Sequence, residues 1–214
     1  QILLNKRDFP IMWHKFRLRT TMYPFLRLGT HAIKSAIKQK QGHSLQLTDT
    51  SEITLTANIN DIDNFFEMNN GRIFTLFDLG RNDLAIRSGL AKKLFKHRWG
   101  LVVAGSTIQY RKRVRLFDKV TIKTRLIAVD ERWFYIEQSM WVKGQPTCAA
   151  LLRTGITNIV TGKVLPTEQV LSALDYKDIN MPPDDWVKAW SDADKIRPFP
   201  KANVHLAKDS AITE

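Results

Sequence analysis

The stretch NNGRIFTLFDLGRNDLAIRSGL, residues 69–90, limits the possible folds more than any other part of the chain. Ile73, Phe74, Leu76, Phe77, Leu84, Ala85 and Ile86 recur at helical spacing, yet they spread over a broad arc rather than one narrow stripe. A helix that is apolar over so much of its circumference cannot rest on a surface, so this one is predicted to be nearly engulfed by other elements. Asn69 and Asn70 stand where a helix N-cap belongs, and Gly80 leaves room for a neighbour to come close.

The elements that could engulf it flank it in sequence. Upstream, SEITLTANIN (residues 51–60) alternates Ile53, Leu55 and Ala57 in the manner of a strand. Downstream come four strand candidates with no long helix between them. They span 101–112, 118–130, 132–143 (rich in Trp133, Phe134, Tyr135 and Trp141) and 147–159. Asp130-Glu131 and Lys143-Gly144-Gln145 are short enough to be hairpin turns. One strand, a buried helix and four further strands predict an α+β fold, a curved antiparallel sheet wrapped around a central helix. Such a sheet has open edges, and a second copy would cover them, so a homodimer or a dimer of dimers is expected.

Composition narrows the functional classes. With 43% hydrophobic and 25% charged residues, a disordered chain, a collagen-like repeat and a polytopic membrane protein are excluded. The single cysteine, Cys148, excludes an intramolecular disulfide framework and a multi-cysteine zinc site, and the five histidines form no metal-ligand spacing. No apolar run is long enough for a transmembrane span, and a cytoplasmic protein is expected. Organelle targeting stays open, because the first twenty residues are arginine-rich and nearly acid-free.

The net charge of +12 is uneven. Residues 1–40 carry nine lysines and arginines against Asp8 alone, a net charge of +8. Such a front end attracts nucleic acid, anionic lipid headgroups or a nucleotide-bearing ligand. From Pro24 the pattern is a short basic amphipathic helix: Phe25, Leu26, Gly29, Ile33, Ala36 and Ile37 on one side, Arg27, His31, Lys34 and Lys38 largely on the other. Packing on the domain is the expectation for this helix; peripheral contact of residues 22–40 with a membrane is the other reading. Trp133, Tyr135 and Trp141 beside basic strands could stack on bases, but they fit a sheet–helix core better, and nucleic acid is not the expected partner. The organisation expected is a basic N-terminal extension over 1–50, a domain over 51–160 and a C-terminal helical extension over 161–214.

The chemistry-bearing stretch is DIDNFFEMNNGR, residues 61–72, where three carboxylates and three amides crowd just ahead of the helix. Free amides and a positive dipole at a helix N-terminus can hold an oxyanion, and a nearby carboxylate can attack an ester or activate water. Capping within an ordinary acidic turn is the plainer alternative.

DIDNFFEMNN resembles the motif Asp-x-Asp-x-x-x-His-x-Asn-Asn of the hotdog-fold thioesterases of the 4-hydroxybenzoyl-CoA thioesterase type, matching at Asp61, Asp63, Asn69 and Asn70. YRKRVRLFD resembles the same family's Tyr-x-x-Pro-Val-x-x-Gly-Asp, matching at Tyr110, Val114 and Asp118. The resemblance covers roughly residues 51–160 and implies hydrolysis of an acyl-CoA-type thioester at a homodimer interface, with no cofactor beyond the CoA of the substrate. It implies that Asp63 is the catalytic carboxylate, that the Asn70 N–H polarises the thioester carbonyl, and that Asp61 is structural. Asn69, Gly71, Arg111 and Arg113 are the residues expected at the substrate, the two arginines on the CoA phosphates. Three positions depart from the motifs: Glu67 replaces His, Arg113 replaces Pro and Phe117 replaces Gly. Glu67 would add a second acid to the catalytic set. It also motivates a different reading, a non-catalytic hotdog protein that binds an acyl ligand or a membrane surface.

Overall fold

The computed structural model describes residues 25–200. The arginine-rich first twenty residues, the start of the 22–40 segment and residues 201–214 lie outside the described residues. In chain order the elements are α1 (Phe25–Lys40), β1 (Ser51–Thr56), α2 (Asn70–Arg87), α3 (Leu90–His97), β2 (Trp99–Tyr110), β3 (Lys119–Val129), β4 (Phe134–Val142), β5 (Gln145–Asn158), α4 (Thr167–Ala173) and α5 (Asp185–Ile196). They fall into two compact units, one ending at Pro182 and one beginning at Pro183. The second contributes α5, along which Asp192 pairs with Lys195 and Asp194 with Arg197.

The five strands form one antiparallel sheet in the order β1-β3-β4-β5-β2. The β4–β5 turn is the expected one: Lys143 and Gly144 have φ of 50° and 73°, the left-handed pair that a two-residue hairpin requires. The β3–β4 connection is longer than Asp130-Glu131. Asp130 Oδ1 accepts from the amides of Arg132 and Trp133 at 2.8 and 2.7 Å, and its Oδ2 accepts from the buried Tyr135 hydroxyl at 2.6 Å. Trp133 therefore sits in the turn, with the guanidinium groups of Arg132 and Arg153 over its ring.

α2 is the engulfed helix. Ile73, Leu76, Phe77, Leu79 and Leu84 are buried, and the first four join Ile53, Leu55, Val120, Ile122, Met140 and Leu152 in one core. Burying a side chain of this size contributes about 1.5–3 kcal/mol. At Gly80 the helix backbone lies directly on Ile122, Thr124 and Gln138 of the sheet. The fully buried Gln138 donates to the Phe77 carbonyl and to Thr124 Oγ1, both at 2.8 Å, and accepts from Arg81. This network sets the height of the helix above the sheet.

α3 is an addition to the sequence reading, which ran a single helix through Leu90. Gly89, with φ of 77°, ends the turn after α2, and Leu90 and Leu94 start a second helix whose buried side chains join a second core with Leu126, Ile136, Ile156, Val170 and Leu174. Residues 165–174, including α4, pack into that core as part of the first unit.

The packing of α1 reverses the expected face. The helix lies on α2, but through Arg27, Leu28, His31, Ala32, Ser35 and Gln39, while Phe25, Leu26, Ile33 and Ile37 point outward. Two buried carboxylates decide this. Arg27 Nη1 donates to Asp61 at 2.8 Å, and Ser35 Oγ donates at 2.5 Å to Asp83, which also accepts from Ser51 at 2.6 Å and from Arg87 at 3.2 Å. Each of these bonds to a buried carboxylate is worth about 1.5–3 kcal/mol, comparable to burial of one isoleucine, and turning the helix over would lose both, so the polar face turns inward. Burial, with Lys34 and Arg27 close by, pushes the His31 imidazole below its ordinary range.

Candidate active site

Residues 61–69 form a small hairpin ahead of α2. The Asp63 amide donates to the Glu67 carbonyl at 2.8 Å, Phe66 N–H to the Asp63 carbonyl at 3.1 Å, and Asn69 N–H to the Asp61 carbonyl at 2.9 Å. Ile62 pairs with Met68, which tucks one face of the hairpin into the core. The loop is Asn64-Phe65-Phe66, with Phe66 at φ of 59°, the left-handed third residue that a three-residue hairpin loop takes. Asp63 and Glu67 close that loop from opposite sides, and cross-strand partners of this kind stand about 5 Å apart at Cβ. The hairpin is pinned to the chain after β2 by Met68 N–H on the Val114 carbonyl at 2.8 Å and by a Glu67–Arg115 bridge.

Asp61 is buried and fully engaged: Oδ2 takes Arg27 and the Asn58 amide at 2.8 and 2.9 Å, and Arg72 Nε lies 3.2 Å from Oδ1. It braces the hairpin against α1 and α2. Asp63 is half-buried; its Oδ1 accepts from the Phe65 amide at 2.8 Å, leaving Oδ2 without a hydrogen-bond partner among the described residues.

At the N-terminus of α2, Asn69 is the cap. Its Oδ1 accepts from Gly71 N–H at 2.9 Å and from Arg72 N–H at 3.3 Å. The Gly71 amide is thereby committed to the cap and is not offered to a substrate. The Asn70 amide, by contrast, has no hydrogen-bond partner among the described residues. Asn70 also lines a cleft of about 230 Å³ together with Glu67, Tyr110, Arg111, Arg113 and Cys148. Asn69, Gly71 and Asp63 are not among the residues lining it.

The second motif supplies the other wall. Arg113 Nε lies 2.9 Å from Glu67 Oε2, an ion pair lacking hydrogen-bond alignment, with the Arg113 side chain mostly in solvent. Arg111 and Lys112 hang on the Thr147 carbonyl through their amides, at 2.8 and 3.0 Å. The basic run 111–115 and the acidic hairpin thus face each other across one cleft, although more than forty residues separate them in sequence. Phe117 adopts φ of 67°, which costs a non-glycine residue roughly 1–2 kcal/mol where the family motif has Gly.

Tyr110, Thr147 and Cys148 complete the cleft and were not among the expected site residues. Tyr110 pairs with Cys148 across β2 and β5, a register that no local spacing announces. Burial pushes the Cys148 thiol up to about 11, and burial followed by the Cys148 charge pushes the Tyr110 hydroxyl up as well. At pH 8 only about one Cys148 in a thousand is thiolate. Native protein should therefore react with iodoacetamide at least about a hundredfold more slowly than denatured protein, as followed by mass spectrometry.

Among the described residues no group of three or more His, Cys, Asp or Glu side chains is placed to hold a metal ion. Of the aromatics weighed for base stacking, Tyr135 is buried, and Trp141 donates to Ser139 at 2.8 Å with Lys123 over its ring.

A five-stranded antiparallel sheet around one central helix, with a capped hairpin at the helix mouth, is the hotdog arrangement. Solved structures share it. The probable thioesterase YbaW from Escherichia coli matches with a TM-score of 0.55 and 22% identity, covering 59% of this chain and 98% of that one. A putative oleoyl thioesterase from Lactobacillus plantarum matches with a TM-score of 0.55 and 15% identity, covering 73% of this chain and 59% of that one. At these identities the likeness speaks for the fold.

The family follows from sequence. The model of the thioesterase-like superfamily matches residues 57–191, and the chain belongs to that superfamily. It is similar to Protein THEM6 of Xenopus laevis, 39% identical over 114 residues, which is 53% of this chain and 54% of that protein. Protein THEM6 of Drosophila melanogaster is 30% identical over 125 residues, 57% of this chain and 65% of that protein. The chain thus spans little more than half the length of these curated relatives.

Proposed function

We propose that the protein hydrolyses an acyl-CoA-type thioester at the cleft between the 61–69 hairpin and the basic run 111–115. The observation that carries this reading is the Asn70 amide at the α2 N-terminus, without a hydrogen-bond partner among the described residues, in a residue that lines that cleft. It is the donor that negative charge on a thioester oxygen requires. Asp63, outside the cleft's lining but across the hairpin from Glu67 at its edge, is the general base in this reading: Oδ2 takes a proton from water, the hydroxide oxygen bonds to the carbonyl carbon, and the oxyanion rests on the Asn70 amide. Collapse of that intermediate breaks the C–S bond, and the departing thiolate takes up the proton that Asp63 received from water, which restores the carboxylate. Glu67 balances Arg113 and yields that guanidinium when the CoA phosphates arrive. Arg111 supplies the second cation.

A second copy completes the site in this reading. β2 ends the sheet, with Leu101, Val102 and Val103 exposed along it, and pairing two such edges covers both.

The test is CoA release from a panel of acyl-CoAs. Asp63→Asn should lower kcat about a hundredfold, the contribution expected of a positioned base. Glu67→Gln should act mainly through KM. Equal turnover by wild type and Asp63→Asn would remove Asp63 from the mechanism.

A further inference from the structure

We infer that α1 is a docking face for an anionic lipid surface, lying flat with its outward stripe in the headgroup region. The stripe consists of Leu26, Ile33 and Ile37, which are 88%, 63% and 48% exposed. On a helical projection Leu26, Ile33 and Ile37 sit opposite the face that holds α1 to the body.

That opposite face makes the helix a rigid ledge. Arg27 is tied to Asp61 and to the Thr56 carbonyl, at 2.8 and 2.7 Å, and Ser35 to Asp83 at 2.5 Å, while Leu28 packs on the core. Rolling the helix to bury its isoleucines would take one donor, Arg27 or Ser35, from each buried carboxylate, so the apolar stripe stays outside. Among the described residues nothing covers it.

Charge selects the partner. α1 contains no acidic residue. Lys34 and Lys38, each following an isoleucine of the stripe, border it along one side, and Lys40 closes its end; all three are exposed. The residues leading into the helix add Lys6, Arg7, Lys15, Arg17 and Arg19 against Asp8 alone. An apolar stripe about 16 Å long with a rim of lysines matches acyl chains below and anionic headgroups around them. A stripe meant for a second copy of this chain would bring the same lysines together against one another.

The experiment is flotation of the full chain with vesicles of phosphatidylcholine alone and of phosphatidylcholine mixed with phosphatidylserine. Binding should favour the phosphatidylserine vesicles and weaken as salt rises. The double variant Ile33→Asp, Ile37→Asp should lower the partition coefficient at least about tenfold, as should Lys34→Glu with Lys38→Glu, with thermal midpoints unchanged because all four side chains face outward. Acyl-CoA turnover in solution should not change, so this docking and the hydrolytic reading stand or fall separately. Four outcomes would overturn it: no binding to phosphatidylserine vesicles; equal binding to neutral ones; binding retained by the isoleucine variant, which would assign attachment to residues 1–24; or a smaller assembly of that variant in sedimentation, which would assign the stripe to a second copy.

Discussion

Asn70→Pro should lower kcat for acyl-CoA hydrolysis about 100- to 1000-fold while leaving the fold intact. Proline has no N–H, so the substitution deletes the one amide of the α2 N-terminus that is free to face the cleft. Few backbone donors can be removed this cleanly. Asn70 is the first helical residue, where proline is well tolerated, and Asn69 before it already holds φ of −60° and ψ of 134°, the conformation a residue preceding proline prefers. The loss expected is that of one oxyanion donor. Asn70→Ala keeps the amide and serves as the control: its kcat should stay within a few-fold of wild type, which separates the backbone donor from the side chain. Circular dichroism and the thermal midpoint check that the helix persists. Full turnover by Asn70→Pro would show that the thioester oxygen is stabilised elsewhere.

Gly80→Ala should destabilise the protein by about 2–4 kcal/mol, against the general preference of helices for alanine. That preference is worth about 1 kcal/mol in favour of the variant. Against it stands the sheet: a Cβ at position 80 would overlap Thr124 Oγ1 and sit 3.1 Å from Ile122 Cγ2 and 3.2 Å from Gln138 Nε2. None of these neighbours is a free side-chain end. Thr124 and Gln138 are fully buried, and moving Gln138 breaks its 2.8 Å bonds to the Phe77 carbonyl and to Thr124. Overpacking costs about 1–3 kcal/mol and a broken buried hydrogen bond about 1–3 more, so the clash outweighs the propensity. Urea denaturation gives the number directly, and a fall of several degrees in Tm should accompany it. An unchanged midpoint would mean that α2 rides higher on the sheet.

The central helix and the strands around it were legible because their periods are local. Ile73, Leu76 and Phe77 declare a buried helix within five residues, and Val120, Ile122 and Leu126 declare a strand by alternation. The motif Asp61, Asp63, Asn69, Asn70 was legible for the same reason, since hairpin and cap lie within ten consecutive positions. α3 escaped because Gly89 separates two short apolar pairs that read as the tail of one helix. The cleft escaped in part because Tyr110, Thr147 and Cys148 reach it through the β2–β5 register.

α1 draws the boundary most clearly. Its amphipathic pattern was plain in the sequence, and pattern alone assigned the apolar side to the interior. Which side turned inward depended on Asp61 and Asp83, two carboxylates more than twenty residues downstream whose burial the helix has to answer. Local spacing determined which elements this chain forms and where its acidic motif meets a helix. Only the tertiary structure decided that the Gly71 amide is spent on the cap, that Tyr110, Thr147 and Cys148 wall the cleft and which apolar stripe stays outside. These are questions of pairing between distant groups, and a buried donor or charge is satisfied by whatever the fold brings to it, not by its neighbours in sequence.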